Sequence, residues 1–329
     1  MDDIARRSNS ERAELFSQTA AKDGRFNPAI VEKDFWVCWM LNHLFSSELR
    51  NKLIFKGGTS LSKVFNLIER FSEDIDLILN WQGLIDEDPM QARNKTRQDK
   101  LNKRLDEAGE RFIHNNLFPA IHDLCAGICE VEMSQDNPNV ILIKYPAAFP
   151  RSYLRQEILL EIGPKAAWIP HATYQTYSYA ALAYPKQFKN AKVDLIATTP
   201  ERSFWEKVTI LHAEAHRPAS KKAPPRYSRH YYDTAQMADS SVKNTALADS
   251  GLLERVVEFK QRFYPSGHAH YDLARIGTLK LLPPEHAMAN LASDYSKMRE
   301  MIYGNYPSFA EIIAKLKNLE KEINQGGAE

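Results

Sequence analysis

Three patterns predict a mixed α/β (α+β) chain, in which a small mixed sheet is followed by a helical domain. Short β-type runs are confined to residues 53–196, prolines punctuate at Pro164, Pro170, Pro185 and Pro200, and from Glu201 onward the apolar spacing is almost wholly helical. The expected division is N-terminal helices over residues 1–50, a sheet-bearing domain over 51–200 and a helical domain over 201–329.

Residues 8–22 and 28–49 carry apolar side chains at helical spacing, the second run with Asn27 as its cap and Pro28 in its first turn. Leu53-Ile54-Phe55 is a short strand ending at Gly57-Gly58, and Thr59 to Ile68 returns to helical spacing. Asp74 to Leu79 alternates acid and aliphatic residues, as a strand does when only one face is buried. Residues 90–125 read as one long helix dense in both signs of charge, with 128–133, 140–144 and 156–162 as further strands of a mixed, mostly sequential sheet. The helices expected after Pro200 cover 204–215, 231–237, 252–263, 288–302 and 309–323.

Composition narrows the class. With 43% apolar and 26% charged residues in 329, the chain is globular, which excludes collagen, coiled coil and disorder. Its 43 Lys plus Arg against 42 Asp plus Glu leave a net charge of +1, so any nucleic-acid contact must come from a local basic stripe. The longest apolar run, Phe35 to Leu41, is too short to span a membrane, and Met1-Asp2-Asp3 is acidic where a signal peptide is basic. A cytoplasmic protein is expected. Cys38, Cys125 and Cys129 are expected as reduced core thiols, the last two being spaced one residue too far apart for a typical redox or zinc pair.

Chemistry concentrates in Lys56-Gly57-Gly58-Thr59-Ser60 and Asp74-Ile75-Asp76. Carboxylates two apart on a strand share a face, and their repulsion is tolerated chiefly where a divalent cation supplies the missing charge. The glycines let backbone approach a ligand, while Thr59 and Ser60 add hydroxyl donors at a helix start suited to phosphate. Together they describe a nucleoside triphosphate site with Asp74 and Asp76 as metal ligands. Taken singly, each could be only a tight turn or a solvated strand edge.

The stretch from Lys56 through Asp74 and Asp76 to Leu77 resembles the signature of the AbiEii/AbiGii-type toxin nucleotidyltransferases, a branch of the DNA polymerase β-like nucleotidyltransferase superfamily. Val31 to Trp36, Pro200 to Lys207 and Arg229 to Asp233 resemble that family's blocks in the same order, so the likeness covers residues 30 to about 235. Fifteen residues separate Gly58 from Asp74, more than in most of the superfamily, which suggests a longer intervening helix. The resemblance implies a polymerase β-like core and transfer of a nucleoside monophosphate from an NTP to an acceptor hydroxyl, dependent on Mg²⁺ or Mn²⁺. It also implies the toxin of a toxin–antitoxin or phage-defence (abortive-infection) system, with a cognate antitoxin protein as partner. RNA, above all a tRNA 3′ end, is the favoured acceptor.

By the same resemblance a neighbouring strand supplies a third carboxylate to the metal or to the attacking hydroxyl. Glu161, in Ile158 to Ile162, is preferred over Asp194, in Val193 to Ile196. Lys207 is the family's helical lysine, expected to neutralise triphosphate charge with Arg202 assisting, and Asp233 is expected in the active site, holding Lys207 or the acceptor. Residues 216–226 contain three prolines, four cations and no acid. That loop is a footprint for polyanion, with Lys221, Lys222, Arg226 and Arg229 as acceptor contacts and Tyr227, Tyr231 and Tyr232 able to stack bases; a solvated connector is the competing reading. The basic helix from Arg93 to Arg111 is interleaved with acids and reads as a salt-laced surface first. His212-Ala-Glu-Ala-His216 has the histidine spacing of a zinc peptidase but not the glutamate directly after the first histidine. Two other classes compete: a phosphotransferase using the same turn and acids, and a non-catalytic nucleic-acid-binding module using only the loop.

Overall fold

The structure, a computed structural model, describes residues 1–72, 74–149 and 155–326, leaving Glu73 of the acidic motif outside the described residues. It divides into two compact units: residues 1–65 with 71–198, and residues 66–70 with Thr199 onward.

The first unit contains α1 (Asp2–Ala5), α2 (Asn9–Asp23), α3 (Pro28–Ser46), β1 (Leu53–Lys56), α4 (Gly57–Lys63) and β2 (Asp74–Leu79). It continues with α5 (Lys95–Phe112), α6 (Phe118–Cys125), β3 (Glu130–Met133), β4 (Val140–Lys144), β5 (Glu157–Gly163), β6 (His171–Tyr177), α7 (Tyr179–Ala183) and β7 (Lys192–Thr198). The strands form one mixed sheet in the order β3-β4-β5-β2-β1-β7-β6. β2 is central, antiparallel to β1 and parallel to β5. Its Ile75 and Leu77 are buried while Asp74 and Asp76, on the alternate face, are half-buried. α3 is apolar almost all round, with Trp36 and Trp39 fully buried, which is the pattern of a helix inside a core.

Several elements differ from the sequence-based expectation. The helix expected over 59–68 stops at Lys63, and the chain turns through Asn66 in the left-handed region (φ 51°), which Asn tolerates better than most residues. The long interval before Asp74 is therefore loop, not longer helix. The helix expected over 90–125 begins only at Lys95, where the Asn94 side chain caps the Arg97 amide, and a π-helical turn at Ile113–Leu117 separates α5 from α6 where Pro119 lacks an N–H. β6 carries little apolar alternation because it is an edge strand, paired along its length with β7 alone. Cys38, Cys125 and Cys129 are free thiols; the first two are buried and Cys129 is half-buried.

The second unit is helical: α8 (Pro200–Ala215), α9 (Ser228–Ala238), α10 (Ser241–Ala248), α11 (Ser250–Phe263), α12 (Glu285–Ser296) and α13 (Phe309–Gln325). Phe204, Trp205, Tyr231, Tyr232, Ile312 and Leu316 form its core. The expected helix over 288–302 ends at Ser296, and Ile302 instead bridges to Arg70. No helix among the described residues is long and apolar enough to cross a membrane.

Candidate active site

In the first unit, the antiparallel register of β1 and β2 sets Lys56 opposite Asp76. Gly57 follows at φ 83°, and a Cβ built on it would stand 1.9 Å from Asp76 Oδ2. The carboxylate rests where any side chain at 57 would have to go, so the position requires glycine for both conformation and space. The two hydroxyls expected to meet phosphate are turned inward. Thr59 donates to the Asp74 carbonyl, and Ser60 Oγ donates to the Gly57 carbonyl at 2.8 Å; the residues are 2% and 0% exposed. They lock the turn to the strand that carries the acids, because a backbone carbonyl lies within reach of each short side chain.

Parallel pairing of β2 with β5 places Glu161 beside Asp76 on the same face, and Glu161 is exposed. Asp194 is elsewhere. With Phe55 level with Ala197, Asp194 sits near the start of β1, about 13 Å along the strands from Lys56 at 3.3 Å per residue. It forms an ion pair with Lys192 at 3.0 Å. Among the described residues no three His, Cys, Asp or Glu side chains converge closely enough to hold a metal. Asp74, Asp76 and Glu161 thus share a face without forming the closed three-carboxylate set expected from the sequence. Mg²⁺ needs less: it is commonly held by one or two carboxylates, with water and substrate phosphates completing the octahedron, and the donor chemistry of Asp74 and Asp76 fits that requirement.

In the same unit, α3 buries three consecutive charged residues, Glu32, Lys33 and Asp34. Each is used. Glu32 accepts from the Ala148 and Phe149 amides, and Lys33 Nζ donates to the carbonyls of Arg155 (2.8 Å) and Glu157 (2.7 Å), anchoring the entry to β5. Asp34 accepts from the Tyr179 amide and pairs with Lys63 at 2.6 Å, and Lys63 donates to the Tyr177 carbonyl. Burial raises the carboxyl pKa values of Glu32 and Asp34 despite these partners. The sequence block containing them carries a scaffold, a role that composition alone did not indicate.

In the second unit, Asp233 is completely buried and is gripped by cations on two sides. Arg70 forks onto it through Nε (2.7 Å) and Nη2 (2.9 Å), and Lys207 Nζ reaches Oδ2 at 2.7 Å. Burial alone would raise the Asp233 pKa, but Arg70 and Lys207 more than offset it and hold the carboxyl well below its usual range. Lys207 is also 3.2 Å from His230 Nδ1. His230 is pushed well below its usual pKa by burial and by the charges of Lys207 and Arg229, so its neutral ring accepts that hydrogen bond. Arg70 was missed by sequence reasoning; its partner is 163 residues away, and only its place inside the family-like stretch could have drawn notice. Arg202 does not approach a ligand surface. It is buried, donates to Glu206 at 3.0 Å and lies over the Phe259 ring, because a guanidinium in the first turn of α8 has a carboxylate one turn on.

The basic loop is divided. Lys221, Lys222 and Arg226 are exposed, with Arg226 Nη2 at 3.4 Å from Met301 Sδ, whereas Arg229 lies half-buried beside His230. Tyr231 and Tyr232, expected as base-stacking platforms, are 1% and 0% exposed and belong to the core. His212 uses both ring nitrogens on backbone, with Nε2 at 3.0 Å from the His270 carbonyl and Nδ1 accepting from the Lys280 amide. Glu214 is held by Arg217. On α5, Lys103 pairs with Glu107 within the helix at 3.9 Å, while Arg104 and Asp106 pair outside it with Glu87 and Lys165.

A glycine turn, a central strand with two acids on one face and a helical unit following the sheet define a nucleotidyltransferase-type chain. The profile of the nucleotidyl transferase AbiEii toxin family, a type IV toxin–antitoxin family, matches residues 39–315, and the chain belongs to that family. It is a toxin-family nucleotidyltransferase. Among solved structures it is similar to MenT4, a nucleotidyltransferase toxin of Mycobacterium tuberculosis, at 15% identity and TM-score 0.46, over 96% of this chain and 98% of that one. It is also similar to JHP933 of Helicobacter pylori, at 12% identity and TM-score 0.44, over 90% of this chain and 92% of that one. Likeness at this level carries no weight for function. No curated protein matches the sequence.

Proposed function

We propose that the chain transfers a nucleoside monophosphate from an NTP to an acceptor hydroxyl, with Mg²⁺ or Mn²⁺ held by Asp74 and Asp76. The observation that supports this reading is the pair of acids on one face of the central strand, set against a glycine turn that admits no side chain. A divalent cation bound there would neutralise the carboxylates and polarise the phosphoryl oxygens. Lys56 and the first-turn amides at Gly57 and Gly58, which have no acceptor within the helix, donate to phosphate oxygens. Glu161 takes the proton of the acceptor hydroxyl as its oxygen attacks the α-phosphorus and pyrophosphate leaves. Lys207 is the more exposed cation of the second unit's cluster, its side chain being 12% exposed against 3% for Arg70. It meets substrate phosphate, and Asp233 positions it.

On this reading the sheet-bearing residues 51–200, with helices 1–50 against them, hold the metal and nucleotide, and residues 201–329 serve the acceptor. The acceptor is RNA, with a tRNA 3′ end foremost, supported by the cations of the 217–226 loop. Family membership supports a cognate antitoxin protein as partner, action in the cytoplasm and a part in phage defence. Incubation with each α-labelled NTP, Mg²⁺ and total RNA tests the proposal: label should enter RNA, in the tRNA band. Label appearing only from γ-labelled NTP would make the protein a phosphotransferase. No transfer at all, with RNA binding retained, would make it a binding module.

A further inference from the structure

The helical unit contains a cavity of about 540 Å³, bounded by the loop after α8 on one side and α12 on the other. That is within the ~300–1,000 Å³ of small-molecule sites. Its two lining acids are spent inside the fold. Both Glu214 oxygens accept from Arg217 at 2.6 Å. Asp294 accepts from the Arg226 amide (2.8 Å), the Ser228 amide (3.0 Å) and the Ser228 hydroxyl (2.6 Å). Three lining ammonium groups remain, those of Lys221, Lys222 and Lys297; none makes a salt bridge or side-chain hydrogen bond among the described residues, although the charge of Lys297 helps to lower the pKa of Asp294. With Arg217 balancing Glu214 and Asp294 set against the three lysines, the lining side chains leave an excess of about two positive charges, and Asn290 and His286 add polar groups to the same wall.

We propose that this cavity seats one nucleotide of a single-stranded RNA acceptor, with Lys221, Lys222 and Lys297 on its flanking phosphates and Asn290 and His286 facing the base or ribose. The assignment of the strand as acceptor rests on the transferase reading above; the binding of RNA does not. A concave site of this size admits an unstacked nucleotide and excludes a duplex, whose bases are not presented singly. It also gives the C-terminal end of α12 a part in the activity through Lys297, the residue that follows the helix and lies in none of the sequence motifs.

The test is fluorescence anisotropy of a 5′-labelled six-nucleotide single-stranded RNA on the full chain without NTP. Lys297→Gln should weaken binding several-fold. Lys221→Gln, Lys222→Gln and Lys297→Gln together should lower the slope of log K against log salt by about 2, at roughly 0.7 per lost phosphate contact. NTP affinity and thermal midpoint should not move. Unchanged RNA affinity and slope would overturn the proposal, as would weakened NTP binding with RNA binding intact, or a six-residue polyglutamate competing as well as the RNA. Asp74→Asn separates the two readings: it should bind RNA as the wild type does while losing transfer. A wild type that binds RNA through these lysines yet transfers nothing would sink the transferase reading and leave the cavity assignment standing.

Discussion

Asp76 and Asp233 are the same residue type in opposite electrostatic situations. Asp233 is fully buried and meets Arg70, Lys207 and, through Lys207, His230. Asp76 is half-buried, lies against the bare Cα of Gly57, shares a strand face with another acid and has no salt bridge among the described residues. An ion taken out of water must be compensated within the fold, so the grip on Asp233 is a condition of its burial. A carboxylate still in contact with water can stay uncompensated, and there the molecule retains charge for something outside itself. Asp233 is compensated by groups of its own fold, whereas Asp76 has no ion pair among the described residues.

The largest expected effect falls on the acid face of β2. Asp74→Asn or Asp76→Asn should reduce transfer by at least ~10³-fold, the scale on which removing one preorganised charged or polar group acts. The thermal midpoint without divalent cation should hold or rise, since like-charge repulsion is relieved. Normal turnover with either variant would defeat the assignment. At the compensated carboxylate, Asp233→Asn should leave transfer chemistry untested because the fold itself weakens, by about 3–5 kcal/mol, with Arg70 and Lys207 left buried and uncompensated. Denaturant titration measures this. Arg70→Met, Lys207→Met and Asp233→Leu combined should recover much of the loss; a single Asp233→Asn with wild-type stability would mean the cluster is not the scaffold described.

The same contrast explains what could be read from the sequence. The acid pair and glycine turn were legible because their signals are local: a period of two on a strand, and glycine where a close approach is needed. Lys207 and Asp233 were reached through family resemblance, but Arg70, the second cation on Asp233, was not, because no local pattern reports a partner 163 residues away. Residue type at Thr59 and Ser60 pointed to the right turn and the wrong direction. Which acceptor a hydroxyl finds depends on a carbonyl that only the folded chain brings near. β6 escaped because an edge strand with one wet face lacks apolar alternation. Tyr231 and Tyr232 were read as exposed because they follow a basic loop, whereas the periodicity of α9 turns them into the core.

A smaller effect sharpens the comparison from the helical side through pH. His212 is fully buried with both nitrogens committed, and burial lowers its pKa to about 4. As pH falls through the ordinary histidine value near 6.5, the unfolded chain takes up a proton that the folded one refuses. Stability should thus be full above pH ~6.5 and fall as the pH drops toward about 4, by up to roughly 3 kcal/mol. Thermal midpoints measured across that window should slope downward, and His212→Gln should flatten the slope while lowering stability at neutral pH. A wild type and variant with parallel pH profiles would show that His212 titrates no differently in the two states.

The smallest expected effect decides which way the turn faces. Ser60 Oγ is buried and donates to the Gly57 carbonyl, so Ser60→Ala removes one neutral hydrogen bond inside the fold. The cost should be about 0.5–1.5 kcal/mol by denaturant titration. NTP affinity, measured by titration with Mg²⁺ present, should stay within about twofold, because no phosphate contact is lost. A hydroxyl bonded to a charged phosphate is worth roughly 1.5–3 kcal/mol, which would appear as a loss of tenfold or more in affinity. Tenfold weaker NTP binding with unchanged stability would therefore show that Ser60 swings outward to the nucleotide. The turn would then belong with the uncompensated groups of Asp76, and the division drawn between an inward lock and an outward acid face would have to be moved by one residue type.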